Sequence, residues 1–584
     1  MIHALALLFL SAAAPSGHAA LWQMFGDEWD WSMQAYPEQA TEYGDDRYDD
    51  RLTDWSPRAI EARQAHERDM LKRAKAFDPA GLSADDQLDL RLFVYQLQLD
   101  VDGQRFPQEL LQLNQLDSPP SQVAELARDL KRVRPKDYED FLARMRQIPG
   151  YVDQMIALLK RGLAKGITPP RVTLKEVPKL LAEHAKADPE QNPLYQIVFA
   201  DMPGIAPADQ ARLRAEARRL LREEVIPAYA KLRDFAAKDY VPHARESLAL
   251  TALPDGKAWY RYQIRSQTTT DMTPEQVHAL GLAEVARIEK LMDAVREESG
   301  FKGDRRAFFQ FLKTDPRFFY KSADDLVTGY RDIAKRIDPE LPRHVGTLPR
   351  LTYGVMPMPA YQAPTSPAAY YEPGVPEAGR PGYFMANTYD LTARPKWAME
   401  DLTLHEAVPG HHLQIARAEE LGELPKFRRF AGYTAYVEGW ALYCESLCQE
   451  LGLCKDVYSR FGVLSAEMWR AVRLVVDTGL HAKGWNRDEA IRYFSDETGQ
   501  TDLNARVEVD RYIVWPGQAL SYKLGQLAIR KLRTKAEAAL GERFDERAFH
   551  DQVLGAGALP LPILEARVDG WIASQKGAAA AAAN

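Results

Sequence analysis

Apolar residues recur at three- and four-residue spacing along most of the chain, the period of a helix with one buried face. Ser83-Ala84-Asp85-Asp86 caps one such run to about Val101, a second spans Asp137 to Leu163, and a third spans Ala206 to Ala237. Thr273-Pro274-Glu275-Gln276 predicts a helix that begins at Pro274 and continues through Leu280, Val285, Ile288 and Leu291. A further apolar helix is expected from about Val463 to Ala482. Period-two alternation is confined to Trp259–Arg265, Arg350–Val355 and Tyr383–Thr388, which together predict one small β-sheet. Between the last two, Met356 to Pro381 is rich in proline and glycine and carries Tyr361, Tyr370 and Tyr371, so it reads as a long ordered loop able to wall a site. The pattern predicts a mainly α fold in a single domain over 21–576, with a helical array over 21–250 and a second helical half over 251–576 that holds the sheet. The alanine-rich tail, 577–584, is expected to be frayed.

Composition narrows the partners. The formal net charge of −8 leaves no basic stripe, so nucleic acid is not expected and small molecules or peptides fit better. An apolar run from Ala4 to Ala14 precedes Pro15-Ser16-Gly17-His18-Ala19-Ala20, the layout of a signal peptide over residues 1–20. That implies export, to the periplasm in a Gram-negative cell or into the medium. No later stretch approaches the roughly 20 apolar residues of a spanning helix, so membrane insertion is not expected. Oligomeric state leaves no signature. Cys444, Cys448 and Cys454 form no two-residue-spaced metal pair; Cys448 and Cys454 either bridge across a helix end at Leu451-Gly452 or remain thiols, with Cys444 as an apolar filler.

Candidate chemistry concentrates at His405-Glu406-Ala407-Val408-Pro409-Gly410-His411-His412-Leu413-Gln414. Without Pro409-Gly410 this reads His-Glu-Ala-Val-His, the helical zinc-peptidase signature, whose histidines at i and i+4 share one face. On a straight helix the insertion would turn His411 roughly 240° from His405, and would return His412 to the same face about 10 Å further along. Pro409 cannot donate to the carbonyl of residue 405, so the helix must break there, and the break is what allows convergence. His411 is the favoured second ligand and His412 the alternate. A hydrolytic zinc site needs a third protein ligand, and Glu438, in the apolar run Tyr436–Tyr443, is the candidate because a buried carboxylate needs a cation. Glu445 shares its face and can support the site, while pairing of Glu438 with Arg428 or Arg429 is the alternative. Glu406 is the expected general base, and Asp401 or Glu400 the candidate for orienting His405.

Two further stretches carry polar groups. Glu467, Arg470, Asp477 and His481 fall on one side of the Val463–Ala482 helix, with Arg473 at their border; they line either a charged channel, with His481 as a catalytic candidate, or a buried ion-pair ladder. In Asp510 to Lys523, Tyr512 is the first candidate for donating to an oxyanion and Tyr522 the second, with Arg511 and Lys523 as candidates for holding a substrate carboxylate.

These motifs, His-Glu-x-x-Pro-Gly-His-His-Leu-Gln, Glu-Gly-Trp-Ala-Leu-Tyr and Pro-Gly-Gln-Ala-Leu-x-Tyr-Lys, together resemble the bacterial family called domain of unknown function 885, over most of the chain. The family looks like a member of the zinc-peptidase superfamily with a glutamate third ligand, related to helical oligopeptidases such as angiotensin-converting enzyme. The resemblance implies a Zn2+ cofactor, a helical zinc-peptidase-like fold with a deep central channel, and short peptide substrates. Arg511-Tyr512 looks like that enzyme's Arg-Tyr pair, which favours Tyr512. A strand near Tyr383 to Asn387 would bind an extended peptide, placing Asn387 among the substrate-binding candidates.

Overall fold

The computed structural model describes residues 17–360, 363, 366–375 and 379–582. Most of the expected signal peptide therefore lies outside the described residues; its last four open helix α1 (Gly17–Ala35), where His18 meets the Asp86 carboxylate at 3.0 Å. The helical runs read from the pattern are present: α2 (Ala84–Gly103), capped by the Ser83 side chain, and α3 (Pro135–Lys165), closed by Gly166 in the left-handed region. The Ala206–Ala237 run forms helices Pro207–Leu220 and Ile226–Phe235, joined by a π turn.

Trp259–Arg265 is not a strand. It lies inside helix α4 (Gly256–Thr268), and its aromatic alternation conceals a helical stripe in which Trp259, Tyr260, Ile264 and Thr268 are the buried positions. Helix α5 (Pro274–Glu298) starts at the expected proline under a capping box from Thr273 and Gln276.

The sheet has three strands in the order β1-β3-β2: β1 (Tyr353–Pro357), β2 (Ala369–Glu372) and β3 (Gly382–Ala386). Central β3 pairs in parallel with β1, Val355 opposite Phe384, and antiparallel with β2, Tyr371 opposite Phe384. The run expected at Arg350–Val355 is thus displaced by two or three residues, and β2 arises within the stretch read as loop. Tyr361 lies outside the described residues.

After the sheet come α6 (Met399–Glu406), α7 (His411–Glu419), α8 (Thr434–Glu445), α9 (Val457–Ala482), α10 (Asp502–Val514), α11 (Leu520–Leu540) and α12 (Leu561–Ala582). Helix α12 runs on through most of the alanine tract, alanine having the highest helix propensity. One buried apolar cluster extends from Leu52 through Ile264 and takes in Leu474, Leu520 and Leu524, so the two halves of the chain share a core. Cys448 and Cys454 are joined as a disulfide, and Cys444 is a buried thiol. Among the described residues no helix is long and apolar enough to cross a membrane.

Candidate metal centre

Helix α6 stops at Glu406, the chain turns through a cis Val408–Pro409 peptide, and α7 restarts at His411. Pro409 has no N–H with which to continue the ladder. A Cβ on Gly410 would stand 2.0 Å from the His405 carbonyl oxygen and 2.3 Å from that of Leu404, so the reversal needs glycine. From α8, Trp440 Nε1 donates to the Pro409 carbonyl at 2.8 Å and fixes the turn.

The break brings the His405 and His411 rings to 4.7 Å, at 89° to each other. Their Nε2 atoms lie 3.6 and 3.7 Å from Glu438 Oε2, and one donor atom of each residue lies within 4.8 Å of the other two. Glu438 is carried by α8, which crosses α11 at a glycine pair: a Cβ on Gly439 would stand 2.5 Å from the Gly525 Cα. Gly439 therefore admits a second backbone at this crossing.

Burial raises the Glu438 pKa, but the imidazoles of His405 and His411 outweigh it and hold the carboxyl down at about 2. Burial likewise opposes protonation of His405, yet the Glu438 and Glu445 carboxylates raise its pKa well above the ordinary value. His411 is lowered, by burial and then by His405.

His405 Nδ1 is engaged by Glu445 Oε1 at 2.6 Å, which leaves Nε2 for the shared centre. Arg470 donates to the same oxygen at 3.2 Å. Burial, and then the Glu445 charge, push the Asp401 carboxyl well above its usual range. Glu400 is occupied elsewhere, accepting from Arg336 at 3.0 Å and from the Cys454 N–H at 2.7 Å. The group orienting His405 is thus Glu445, and neither Asp401 nor Glu400. Arg428, offered as the alternative partner of Glu438, pairs with Asp89. Two imidazoles and a carboxylate converging with one ring already oriented are a donor set that fits a divalent zinc ion.

His412 faces another way. Its ring packs on Tyr353 at 4.6 Å and its Nδ1 meets the Tyr371 hydroxyl at 2.9 Å, both on the sheet, while burial pushes its pKa down to about 4. Glu406 is half-buried, makes no hydrogen bond or ion pair among the described residues, and lies within electrostatic reach of both His405 and His411.

Several predicted residues are not brought to this centre. Tyr512 is fully buried, donates to Glu508 at 2.5 Å and accepts from Arg473 at 3.1 Å. The tyrosine beside the cluster is Tyr522, whose side chain is near enough to Glu438 to help lower its pKa and whose ring lies under the Arg473 guanidinium at 4.5 Å. Both ring nitrogens of His481 bond backbone, Nδ1 accepting from the Leu250 N–H at 3.0 Å and Nε2 donating to the Tyr512 carbonyl at 2.9 Å; burial lowers its pKa to about 4, so it is a neutral clip between segments. Lys523 is fully buried against Glu467 at 2.7 Å and Glu284 at 3.0 Å. Arg511 donates to Gln518 at 2.6 Å and Glu508 at 3.3 Å. Asn387 donates to the carbonyls of Ala363, Ser366 and Pro367 and thereby pins the loop. On α9, Glu467, Arg470 and Asp477 each reach a different partner, Lys523, Glu445 and Tyr260, so the stripe is an interhelical ladder.

The sequence did hold a signal for Tyr522. Glu438 precedes Gly439 by one residue and Tyr522 precedes Gly525 by three, so a crossing at the two glycines sets the two side chains within a turn of each other.

Two cavities open among the amino-terminal helices. One of about 1000 Å³ is lined by residues of α1 and α2 and by Phe430 to Tyr433, just ahead of α8. The other, of about 590 Å³, reaches Arg245, Trp259 and Trp515, and the two share Gln108 and Gln122 on their walls.

The profile of the family described as "Bacterial protein of unknown function (DUF885)" matches residues 37–568. None of the curated proteins matches the chain. The crystal structure of a candidate lipoprotein from Colwellia psychrerythraea superposes with a TM-score of 0.90 at 28% identity, covering 96% of this chain and 100% of that one. A candidate lipoprotein of unknown function from Shewanella oneidensis superposes with a TM-score of 0.74 at 20% identity over 94% of this chain and 99% of that one, a likeness of fold.

Proposed function

We propose, on the premise that the chain belongs to the DUF885 family of bacterial proteins, that it is an exported zinc peptidase cleaving short peptides. The observation that carries this reading is the convergence of His405, His411 and Glu438 within 4.8 Å, with Glu445 bound behind His405. The disulfide and the description of the Colwellia neighbour as a candidate lipoprotein support a place in the cell envelope.

His405, His411 and Glu438 would hold the ion, which supplies Lewis acidity and a lowered pKa for water in the site. Glu406, unpaired beside the two imidazoles, takes the proton of the attacking water and delivers it to the leaving amine. Tyr522 takes over the role first expected of Tyr512, donating to the oxyanion that develops on the peptide carbonyl.

Metal analysis tests the ligand set. Purified protein is expected to hold about one zinc per chain, as one three-ligand site requires; His411→Ala should lose it and His412→Ala should keep it. The converse pattern would sink the assignment. Glu445→Gln should retain the fold yet weaken zinc binding by about 10–100-fold, the usual effect of removing the carboxylate behind a ligating imidazole. A chelator competition titration reads that change directly, and an unchanged zinc affinity would show that Glu445 serves Arg470 alone.

A further inference from the structure

The wall of the 1000 Å³ cavity combines two features that each attract a positive charge. Carboxylates enter it from three helices: Glu28 from α1, Glu67 from the helix Pro57–Ala76, and Asp100 from α2. Glu67 is held by the Gln104 amide at 2.7 Å and Asp100 by the Gln96 amide at 3.0 Å, and Glu28 by His66 at 2.6 Å, so none of the three has a lysine or arginine in an ion pair among the described residues. Among the described residues the lining has one permanent cation, Arg63, whose guanidinium is already stacked over Tyr36 and Trp55 and donates to the Asp54 carbonyl, while Lys426, just outside the lining, stands over the Trp29 ring at 5.9 Å.

Aromatic faces supply the rest of the wall. Trp29, Tyr43 and Phe430 stack on one another with centroids 4.5 to 5.5 Å apart, and Trp31 and Tyr36 also border the space. Trp29 is 8% exposed, and its indole N–H is buried without a hydrogen-bond partner. Burial, and after it the neighbouring Glu67, raise the Asp100 carboxyl to about 7. Aromatic faces and carboxylates attract a desolvated organic cation together.

We infer that this cavity receives the cationic side chain of a lysine or arginine in a peptide. Calling the ligand a peptide rests on the peptidase reading, whereas the demand for a cation does not. The cavity wall runs from Phe430 to Tyr433, and Thr434 begins the helix that carries Glu438, so a chain seated there lies next to the element that positions the metal ligands.

The test is equilibrium binding by the full-length protein stripped of zinc, which uncouples recognition from turnover. The probes are acetylated, amidated alanine-rich pentapeptides that differ only in one central residue: lysine, arginine or norleucine. The charged peptides should bind about tenfold or more tightly than the norleucine peptide, a margin in keeping with one desolvated cation–π contact. That preference should fall to within about twofold in Glu67→Gln/Asp100→Asn, with the norleucine peptide bound as before. Glu67→Gln alone, which keeps the Gln104 contact within reach, provides a milder variant and should lose part of the preference. Equal binding of all three peptides, or an undiminished preference in both variants, overturns the inference. Cationic preference without cleavage by the zinc-loaded protein would defeat the peptidase reading and leave the cavity assignment standing; cleavage without cationic preference would do the reverse.

Discussion

Replacing Glu406 by glutamine should lower kcat for peptide hydrolysis by roughly 10²–10⁴-fold, the span that a positioned general base contributes, while zinc stays at wild-type stoichiometry. The two readouts separate because Glu406 is not one of the converging donors: those are His405, His411 and Glu438. The amide keeps the carboxylate's size and removes only its basicity. Little stability should be lost, since Glu406 makes no hydrogen bond or ion pair among the described residues. Single-turnover assays on peptide mixtures with zinc quantified in the same samples are the direct check. A Glu406→Gln protein that carries zinc and turns over at the wild-type rate would end the proposed mechanism, because among the described residues no other unpaired carboxylate stands beside both imidazoles.

Much of this was legible in the chain, for reasons that can be located. Helix type was readable because caps and apolar period coincide at Ser83, Thr273 and Pro274, and each marks a real helix start. The converging donors were partly readable because a break at Pro409-Gly410 lets His405 meet His411, the residue favoured over His412, and the broken helix brings those two rings together. What sequence could not supply was the direction of side chains across helix crossings. Tyr512 and Tyr522 differ little as residues in a list, and only the contact of Gly439 with Gly525 sets Tyr522 beside Glu438. Asp401 and Glu445 present the same difficulty: one lies a helical turn from His405 and the other seven residues from Glu438, and the packing of α6 on α8 assigns Glu445 to the ring. Trp259–Arg265 failed for another reason, since seven residues satisfied periods of two and 3.6 equally and tertiary burial decided.

Lys523 illustrates the same limit and carries the largest expected stability effect. Lysine next to Tyr522 suggested a substrate anchor, yet its ammonium is fully buried between Glu467 and Glu284 and donates to Gln526 at 2.7 Å. These contacts tie α11 to α5 and α9, the helices that bring Tyr522 and Arg470 to the centre. Lys523→Met should therefore destabilise the protein by about 3 kcal/mol, the lower end for removing one partner of a buried ion pair, because Arg287 still meets Glu284 at 2.8 Å and Glu467 at 2.5 Å. The acid limb of stability should move as well. Burial raises the Glu284 pKa, but Arg287 and Lys523 outweigh it and hold it at about 2. A carboxyl lowered in the folded state adds stability that is complete above its unfolded pKa and is lost as pH falls through the folded one, here between about 4.5 and 2. Without Lys523 the folded value rises, so that contribution shrinks and disappears at higher pH. Denaturant unfolding of wild type and Lys523→Met at pH 7 and across the acid range measures both effects. Unaltered unfolding midpoints at every pH would mean that the buried lysine contributes nothing to the ladder that aligns these helices.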